Sequence, residues 1–354
     1  MSEPPRSSRR CPPWSTKRTT SWPLVGPFHA GDTARRMQAI LGVTVPFFAL
    51  VLCGYLAAQR RVLPEAAIPG LNAFVLYFAL PCMLFRFGMN TPVLELLNPT
   101  LLAVYLTSAL LIVAVTIRVT IGPQVHLKDA AFGALVAAFP NTGFMGVPLL
   151  VALAGAAAAG PVIATILADL FVTSSLCIAL AQAHEASGQG ARAAAWRALR
   201  GASSNPLPWA IALGAVFSVA GFGLPGPVDA MVRMLADAAT PVALFTIGAV
   251  LWRAGQHAHT RTPAAHFLPV ALIKLVLHPL AVFCLASGAR WLGAPLTPFH
   301  VTVLTLAAAL PSASNVSLLA ERYGADNGRI ARIILTSTAL AFVTFTLLAW
   351  TLGV

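Results

Sequence analysis

Ten apolar segments, each close to the length of a membrane-spanning helix, dominate the sequence. About 20 mostly apolar residues are needed to cross the hydrocarbon core of a bilayer. The chain of 354 residues is 58% hydrophobic and only 10% charged, whereas a soluble protein carries roughly 25% charged residues. The sequence therefore predicts an all-α polytopic membrane protein. Its ten predicted spans cover residues 38–58, 67–86, 99–118, 130–153, 161–182, 206–223, 229–252, 265–287, 298–319 and 329–352.

Two of these spans, the fourth and the ninth, are interrupted by proline. Proline removes a backbone donor and clashes with the carbonyl one turn earlier, so it opens the helix. In hydrocarbon such a break survives where it is buried in protein or lines a cavity, and paired breaks in two halves indicate a transporter's binding site. An ordinary proline kink satisfied by Ser or Thr is the structural alternative. The candidate substrate-binding residues around the two breaks are Pro140, Asn141, Thr142, Gly143, Pro311, Ser314 and Asn315.

The longest polar connection, residues 183–205, separates five spans from five. Pro81 of the second span has a counterpart in Pro241 of the seventh, as Pro140 of the fourth has in Pro311 of the ninth. Because five is odd, two such halves cross the membrane in opposite senses, which makes the repeat inverted. We expect a first five-helix repeat at 37–182, a cytoplasmic loop at 183–205 and a second five-helix repeat at 206–354.

The loop charges predict the orientation, because cytoplasmic loops carry an excess of Lys and Arg. Basic residues cluster in the loops on one side of the membrane and are sparse in the loops on the other side. The basic side is therefore expected in the cytoplasm, and both termini on the outer side of the cell inner membrane. Residues 1–36 are basic and rich in Pro and Ser. We interpret them as a disordered tail, or as a mis-assigned start ahead of Met37. Nucleic-acid binding is disfavoured because the other basic residues are spread singly between apolar spans.

Four of the ionisable residues within predicted spans are candidates for function, because a charge at the centre of a span costs about 2.5–3.5 kcal/mol on insertion scales. They are the predicted ion-coupling residues Asp169, Lys274, His278 and Asp237. Asp237 is equally consistent with a helix-end carboxylate, and Lys274 with a side chain that reaches toward the cytoplasm. Lys274 and His278 are four residues apart and share a helix face. Because Asp169, Lys274 and His278 are titratable, a proton is favoured over sodium as the coupling ion.

The sequence lacks the motifs of several enzyme and nucleotide-binding classes. It has no phosphate-binding G-x-x-x-x-G-K-[ST] loop, no H-E-x-x-H and no G-x-S-x-G. Its five cysteines show no C-x-x-C spacing. We therefore expect no enzymatic activity, catalytic residue, metal site or cofactor. Active transport by such a chain would be driven by an ion or substrate gradient.

Several segments resemble the auxin efflux carrier family, in the form of a bacterial-type member. The resemblance covers 38–354, and its most specific element is the fourth-span motif from Pro140 to Pro148. Its other elements are 54–57 with Arg60 and Arg61, 71–85, Lys274 and Leu275 with Pro279, and 311–315 with Tyr323 and Gly324. The second break has Pro311 and Asn315 apart, so the adjacent Pro-Asn pair of the first break is not reproduced.

This resemblance implies a secondary active transporter of a small organic anion such as a carboxylate. It implies ten spans in two inverted five-helix repeats, with broken helices four and nine crossing, and elevator-type movement of spans 3–5 and 8–10 against spans 1–2 and 6–7. The expected partners are the anion, a coupling ion and the lipid bilayer, and a homodimer is an assembly to test. A non-coupled channel or a membrane sensor that uses the same cavity remains the alternative.

Overall fold

The computed structural model describes residues 30–96, 98–182, 203–256 and 262–354, together with positions 196 and 200. Over these ranges the regular structure is helical, with short turns and two isolated backbone bridges between the helices. Seven of the helices in these described ranges are long and apolar enough to cross a membrane, by length and composition. The prediction of an all-α multi-pass membrane protein is therefore confirmed.

Twelve helices carry the architecture of the described residues. They are α1 (Ala30–Gln59), α2 (Glu65–Asn90), α3 (Pro99–Thr120), α4 (Leu127–Ala138), α5 (Thr142–Ala154), α6 (Ala156–Gln182), α7 (Pro206–Ala220), α8 (Gly226–Gln256), α9 (Ala264–Trp291), α10 (Pro298–Ala309), α11 (Val316–Arg322) and α12 (Asn327–Thr351). The predicted fourth span is thus the pair α4 and α5, and the predicted ninth span is the pair α10 and α11.

Two predicted segments fall largely outside the described residues. Of the tail predicted at 1–36, residues 1–29 lie outside, whereas α1 already begins at Ala30. Most of the predicted loop 183–205 lies outside as well. The domain boundaries therefore stay predictions.

Prolines reshape three helices by widening one turn. Each of these helices contains a five-residue π-helical segment that ends two residues before a proline. Because proline has no N–H and its ring clashes with the carbonyl four residues earlier, a wider turn accommodates it. The segments are Val75–Ala79 before Pro81, Thr142–Gly146 before Pro148 and Ile273–Leu277 before Pro279. A fourth π segment, Asp169–Thr173 in α6, begins at a predicted ion-coupling residue.

Glycines bring two pairs of helices into close backbone contact. An added Cβ on Gly54 or Gly248 would collide with the backbone of the facing helix, α8 or α1 respectively. The same holds for Gly88 and Gly214, which face each other between α2 and α7. Small residues permit such an approach in membrane proteins, where helix association depends on van der Waals packing. The pairs α1–α8 and α2–α7 therefore form two tightly packed units.

The first halves of the two interrupted spans are buried among other helices. Residues 130–138 of α4 and 303–309 of α10 are buried throughout. Helix α4 packs against α3 and α6, and α10 packs against α9 and α6. A helix that is apolar and buried on all sides requires protein around it. Both breaks thus lie inside the protein, as unpaired backbone groups at membrane depth require.

Candidate functional site

The two interrupted spans meet at their breaks. The amide of Asn141 donates a hydrogen bond of 2.8 Å to the carbonyl oxygen of Pro311, and the amide of Ala313 donates one of 3.0 Å to Phe139. These bonds form an isolated antiparallel bridge of extended backbone between helices. One backbone donor of each break, the amide of Asn141 and the amide of Ala313, is therefore satisfied by the opposite break.

At the second break, the donor and the acceptor of one backbone hydrogen bond of an uninterrupted helix bind different partners. In a continuous helix, the amide of Ser312 would donate to the carbonyl oxygen of Ala308. Instead, Ser312 donates to the hydroxyl oxygen of Ser337 in α12 at 3.2 Å, and the carbonyl of Ala308 accepts from Nζ of Lys274 at 2.7 Å. An ammonium group is stabilised at the negative end of a helix dipole. Lys274 thus caps the C-terminal end of α10.

His278 lies one turn after Lys274 on the same face of α9. Its Nδ1 is 3.1 Å from Nζ of Lys274. An ammonium group can only donate, so with a charged Lys274 this nitrogen accepts and Nε2 carries the ring proton. The imidazole interacts with the carbonyl of Ala137, near the C-terminal end of α4. Within the described ranges, Nε2 nevertheless makes no hydrogen bond of standard geometry. One face of α9 therefore contacts the ends of both broken helices.

Asp169 is fully buried beside this pair of basic residues. Its two carboxylate oxygens accept hydrogen bonds from the hydroxyl groups of Tyr105, at 2.7 Å, and Thr173, at 3.0 Å. Asp169 also interacts electrostatically with Lys274, and the ring of Tyr105 lies 6.1 Å from that of His278. We call these five residues the polar cluster. The cluster joins α3, α6 and α9 next to the crossing of the breaks.

Asp237 is the predicted ion-coupling residue that the structure leaves outside the polar cluster. It is exposed on α8 and lines an open cavity of about 410 Å³. Arg233, one turn earlier, interacts with it electrostatically. The structure therefore brings together three of the four predicted ion-coupling residues, and places the fourth, Asp237, apart from them at an open cavity.

The two asparagines of the breaks occupy equivalent positions on the second half-helices. Asn141 is the N-cap residue of the π segment that opens α5, and Asn315 is the N-cap residue of α11. Asparagine at this position commonly bonds a backbone amide of the first turn. Neither side chain makes that bond, and Oδ1 of Asn315 is buried without a partner among the described residues. Among the described residues, Oδ1 of Asn315 is therefore an acceptor open to another partner, and neither asparagine side chain is used to cap its helix.

The remaining candidate substrate-binding residues lie at the breaks, where several of them make local hydrogen bonds. The amide and the hydroxyl of Thr142 both donate to the carbonyl of Pro140, at 2.8 and 3.5 Å. The carbonyl of Ser314 accepts from the hydroxyl of Ser317 at 2.9 Å. Gly143 is half-buried, and an added Cβ there would meet no atom within 4 Å. Pro311 supplies the carbonyl that joins the two breaks.

Sequence reasoning missed several residues that complete the site. Tyr105, Thr173 and Ser337 are neutral hydroxyl residues in apolar spans, and they carry neither a charge nor a helix break that would mark them in the sequence. A polar residue on an otherwise apolar face was the available signal for Tyr105. Arg86, at the end of the predicted span 67–86, resembles a charge that flanks a span, yet it lies within α2.

Broken helices that meet inside an all-helical membrane protein are typical of membrane transport proteins. The family comparison agrees. The chain belongs to the membrane transport protein family, whose model matches residues 39–349. The resemblance to the auxin efflux carriers is thereby confirmed.

Relatives of similar length support this assignment. A protein of Rhizobium meliloti named "Putative malonate transporter" is 29% identical over 313 residues, which are 88% of this chain and 95% of the relative. An uncharacterized transporter of Escherichia coli is 26% identical over 308 residues, or 86% of this chain and 94% of the relative. An uncharacterized transporter of Methanothermobacter thermautotrophicus is 26% identical over 315 residues, or 88% and 96%. The chain is thus a membrane transport protein and not an enzyme.

Proposed function

We propose that this protein is a secondary active transporter that moves a small organic anion, such as a carboxylate, by elevator-type alternating access. The observation that carries the proposal is the crossing of the two breaks, with the side chains of Asn141 and Asn315 at the start of the second half-helices and not used to cap them. An amide group offers donors to a carboxylate and an acceptor to a hydroxyl. The positive end of the α5 dipole adds attraction for an anion.

The glycine contacts support the inverted repeat of ten spans. An inverted repeat relates α1 to α7 and α2 to α8, so it converts the α1–α8 contact into the α7–α2 contact. The sequence separation between Gly54 and Gly214 equals that between Gly88 and Gly248. The prolines Pro81 and Pro241 have the same separation. We therefore assign the two repeats to 37–182 and 206–354, joined by 183–205.

The packing also suggests which parts move. The pairs α1–α8 and α2–α7 form the scaffold, because their backbones are in direct contact at the glycines. The broken helices pack mainly with α3, α6 and α9, and the polar cluster joins these helices. In our proposal α3–α6 and α9–α12 move together against the scaffold. This movement would expose the crossing of the breaks to each side in turn.

The polar cluster is the proposed carrier of the coupling proton. Asp169 and Lys274 are both fully buried, and Lys274 touches the end of α10 beside the break. A change of protonation in the cluster would therefore alter the charge next to the substrate. In our proposal, 183–205 lies in the cytoplasm and both termini lie on the outer side of the inner membrane, which the loop charges favour.

Counterflow in proteoliposomes tests the carrier function. The purified protein is reconstituted into vesicles loaded with unlabelled malonate, and the entry of labelled malonate is followed. A carrier gives saturable entry that is accelerated by internal malonate. Entry that neither saturates nor responds to internal malonate would favour the alternative of a non-coupled channel. Binding of malonate without any flux would favour the membrane sensor.

A further inference from the structure

Arg86 presents a buried guanidinium nitrogen that no described residue of the chain satisfies. The residue is half-buried near the end of α2, and its Nη1 is buried without a hydrogen-bond partner among the described residues. A buried donor attached to a charged group is costly when it lacks a partner. Arg86 therefore has capacity for an acceptor that comes from outside the chain.

The side chain of Arg86 lines the cavity of about 410 Å³ between α2, α5 and α8. This volume lies within the range of small-molecule sites. The polar lining comes from Arg86, Asn90, Asp237 and Thr240, and the apolar lining comes from Met83, Phe87, Pro148 and Ala236. A single cation beside an apolar wall is typical of a site for one carboxylate with a short hydrocarbon chain.

The position of Pro148 connects this cavity to the first break. Pro148 lies on α5, about two helical turns after Asn141, whereas the other lining residues belong to α2 and α8 of the proposed scaffold. The cavity therefore lies between the scaffold and one of the proposed moving half-helices. A ligand here would contact both parts of the protein.

We propose that Arg86 forms a carboxylate-binding site in this cavity, with Asp237 disfavouring a second negative charge on the ligand. Arginine binds a carboxylate through two parallel N–H donors, a geometry that lysine cannot offer. The carboxylate of Asp237 on the facing α8 repels an anion, and more strongly a dianion than a monoanion. The site thus selects small carboxylates of low charge. This inference rests on the proposed function for the class of cargo, but the binding itself requires no transport.

Calorimetric titration of the purified protein in detergent with malonate and with lactate tests the site. Arg86→Gln is expected to weaken the binding of both acids by about tenfold or more, because it removes a charged hydrogen-bond partner. Arg86→Lys retains the charge and should retain part of the affinity. The matched control is Arg290→Gln, which removes an exposed arginine of α9. Thermal unfolding without ligand establishes that each variant is folded.

Asp237→Asn tests the site in the opposite direction, because this substitution should strengthen binding instead of weakening it. Removing the repulsion should strengthen the binding of malonate about two- to threefold, and that of lactate by less. The site is overturned if folded Arg86→Gln binds both acids as the Arg290→Gln control does, or if Asp237→Asn weakens the binding of malonate. The transport proposal fails separately. If Arg86→Gln loses binding and the unaltered protein shows no flux, the Arg86 site is retained and the carrier function is rejected. If the unaltered protein shows flux and Arg86→Gln binds both acids unchanged, the carrier function is retained and the Arg86 site is rejected.

Discussion

The backbone amide of Asn141 lies 2.8 Å from the carbonyl oxygen of Pro311, and this hydrogen bond joins two helix breaks that are far apart in the chain. The bond satisfies a donor that the break at Pro140 removes from the helix ladder. The side-chain amide of Asn141 does not cap the helix, although it lies at the start of α5. The same contact thus stabilises the crossing and presents a polar group to a ligand.

The electrostatic pairing of Asp169 and Lys274 should be measurable as a coupling energy. Removing one member of a buried charge pair costs about 3–5 kcal/mol, because the other charge is left uncompensated. We expect Asp169→Asn and Lys274→Met each to lower the free energy of unfolding. The double variant should lose less than the sum, by about 1–3 kcal/mol. Unfolding of the four proteins in detergent measures the coupling, and additive losses would contradict it.

Arg329 should stabilise the junction of three helices. This side chain is 2% exposed, and it donates from Nε to the carbonyl of His266 at the start of α9 and from Nη1 to that of Asp129 in α4, both at 2.8 Å. A hydrogen bond from a charged donor contributes about 1.5–3 kcal/mol. Arg329→Met should therefore lower the free energy of unfolding by about 3 kcal/mol or more. Arg322→Met, at an exposed arginine of α11, is the control and should change it by less than about 0.5 kcal/mol. Equal effects would contradict this role.

The glycine contact between α1 and α8 predicts opposite effects for two alanine substitutions. An added Cβ at Gly248 would collide with the backbone of α1, so Gly248→Ala should cost about 1–3 kcal/mol through forced separation. Gly42 lies in α1 with no atom within 4 Å of an added Cβ. Gly42→Ala should leave stability unchanged or raise it by up to about 1 kcal/mol, because alanine favours the helix. Thermal unfolding in detergent measures both, and similar losses would refute the close contact.

The positions of the helices and of both breaks could be predicted from the sequence, because apolar length and proline act locally. The predicted fourth and ninth spans both proved to be broken helices, at Pro140 and at Pro311. The sequence also identified Asp169, Lys274 and His278, since charge is conspicuous in an apolar span. That these three residues share one cluster could not be predicted, because it depends on the packing of α6 against α9.

Other features required the three-dimensional structure for the same reason. Pairing between the two breaks joins residues from different halves of the chain, and no local pattern records it. Tyr105 supports Asp169 across a helix interface, although tyrosine is common in apolar spans. Arg86 resembles a flanking charge in the sequence, and only its buried nitrogen and its cavity distinguish it.

Malonate counterflow by Asn141→Ala in proteoliposomes tests the central claim, that cargo binds where the breaks cross. The side-chain amide should contribute about 1.5–3 kcal/mol to the binding of an anion, so the variant should need about ten- to a hundredfold more malonate for half-maximal entry. Asn72→Ala removes the same amide from α2, outside the break, and should behave as the unaltered protein does. Half-maximal entry at the same malonate concentration in Asn141→Ala and Asn72→Ala would contradict the account.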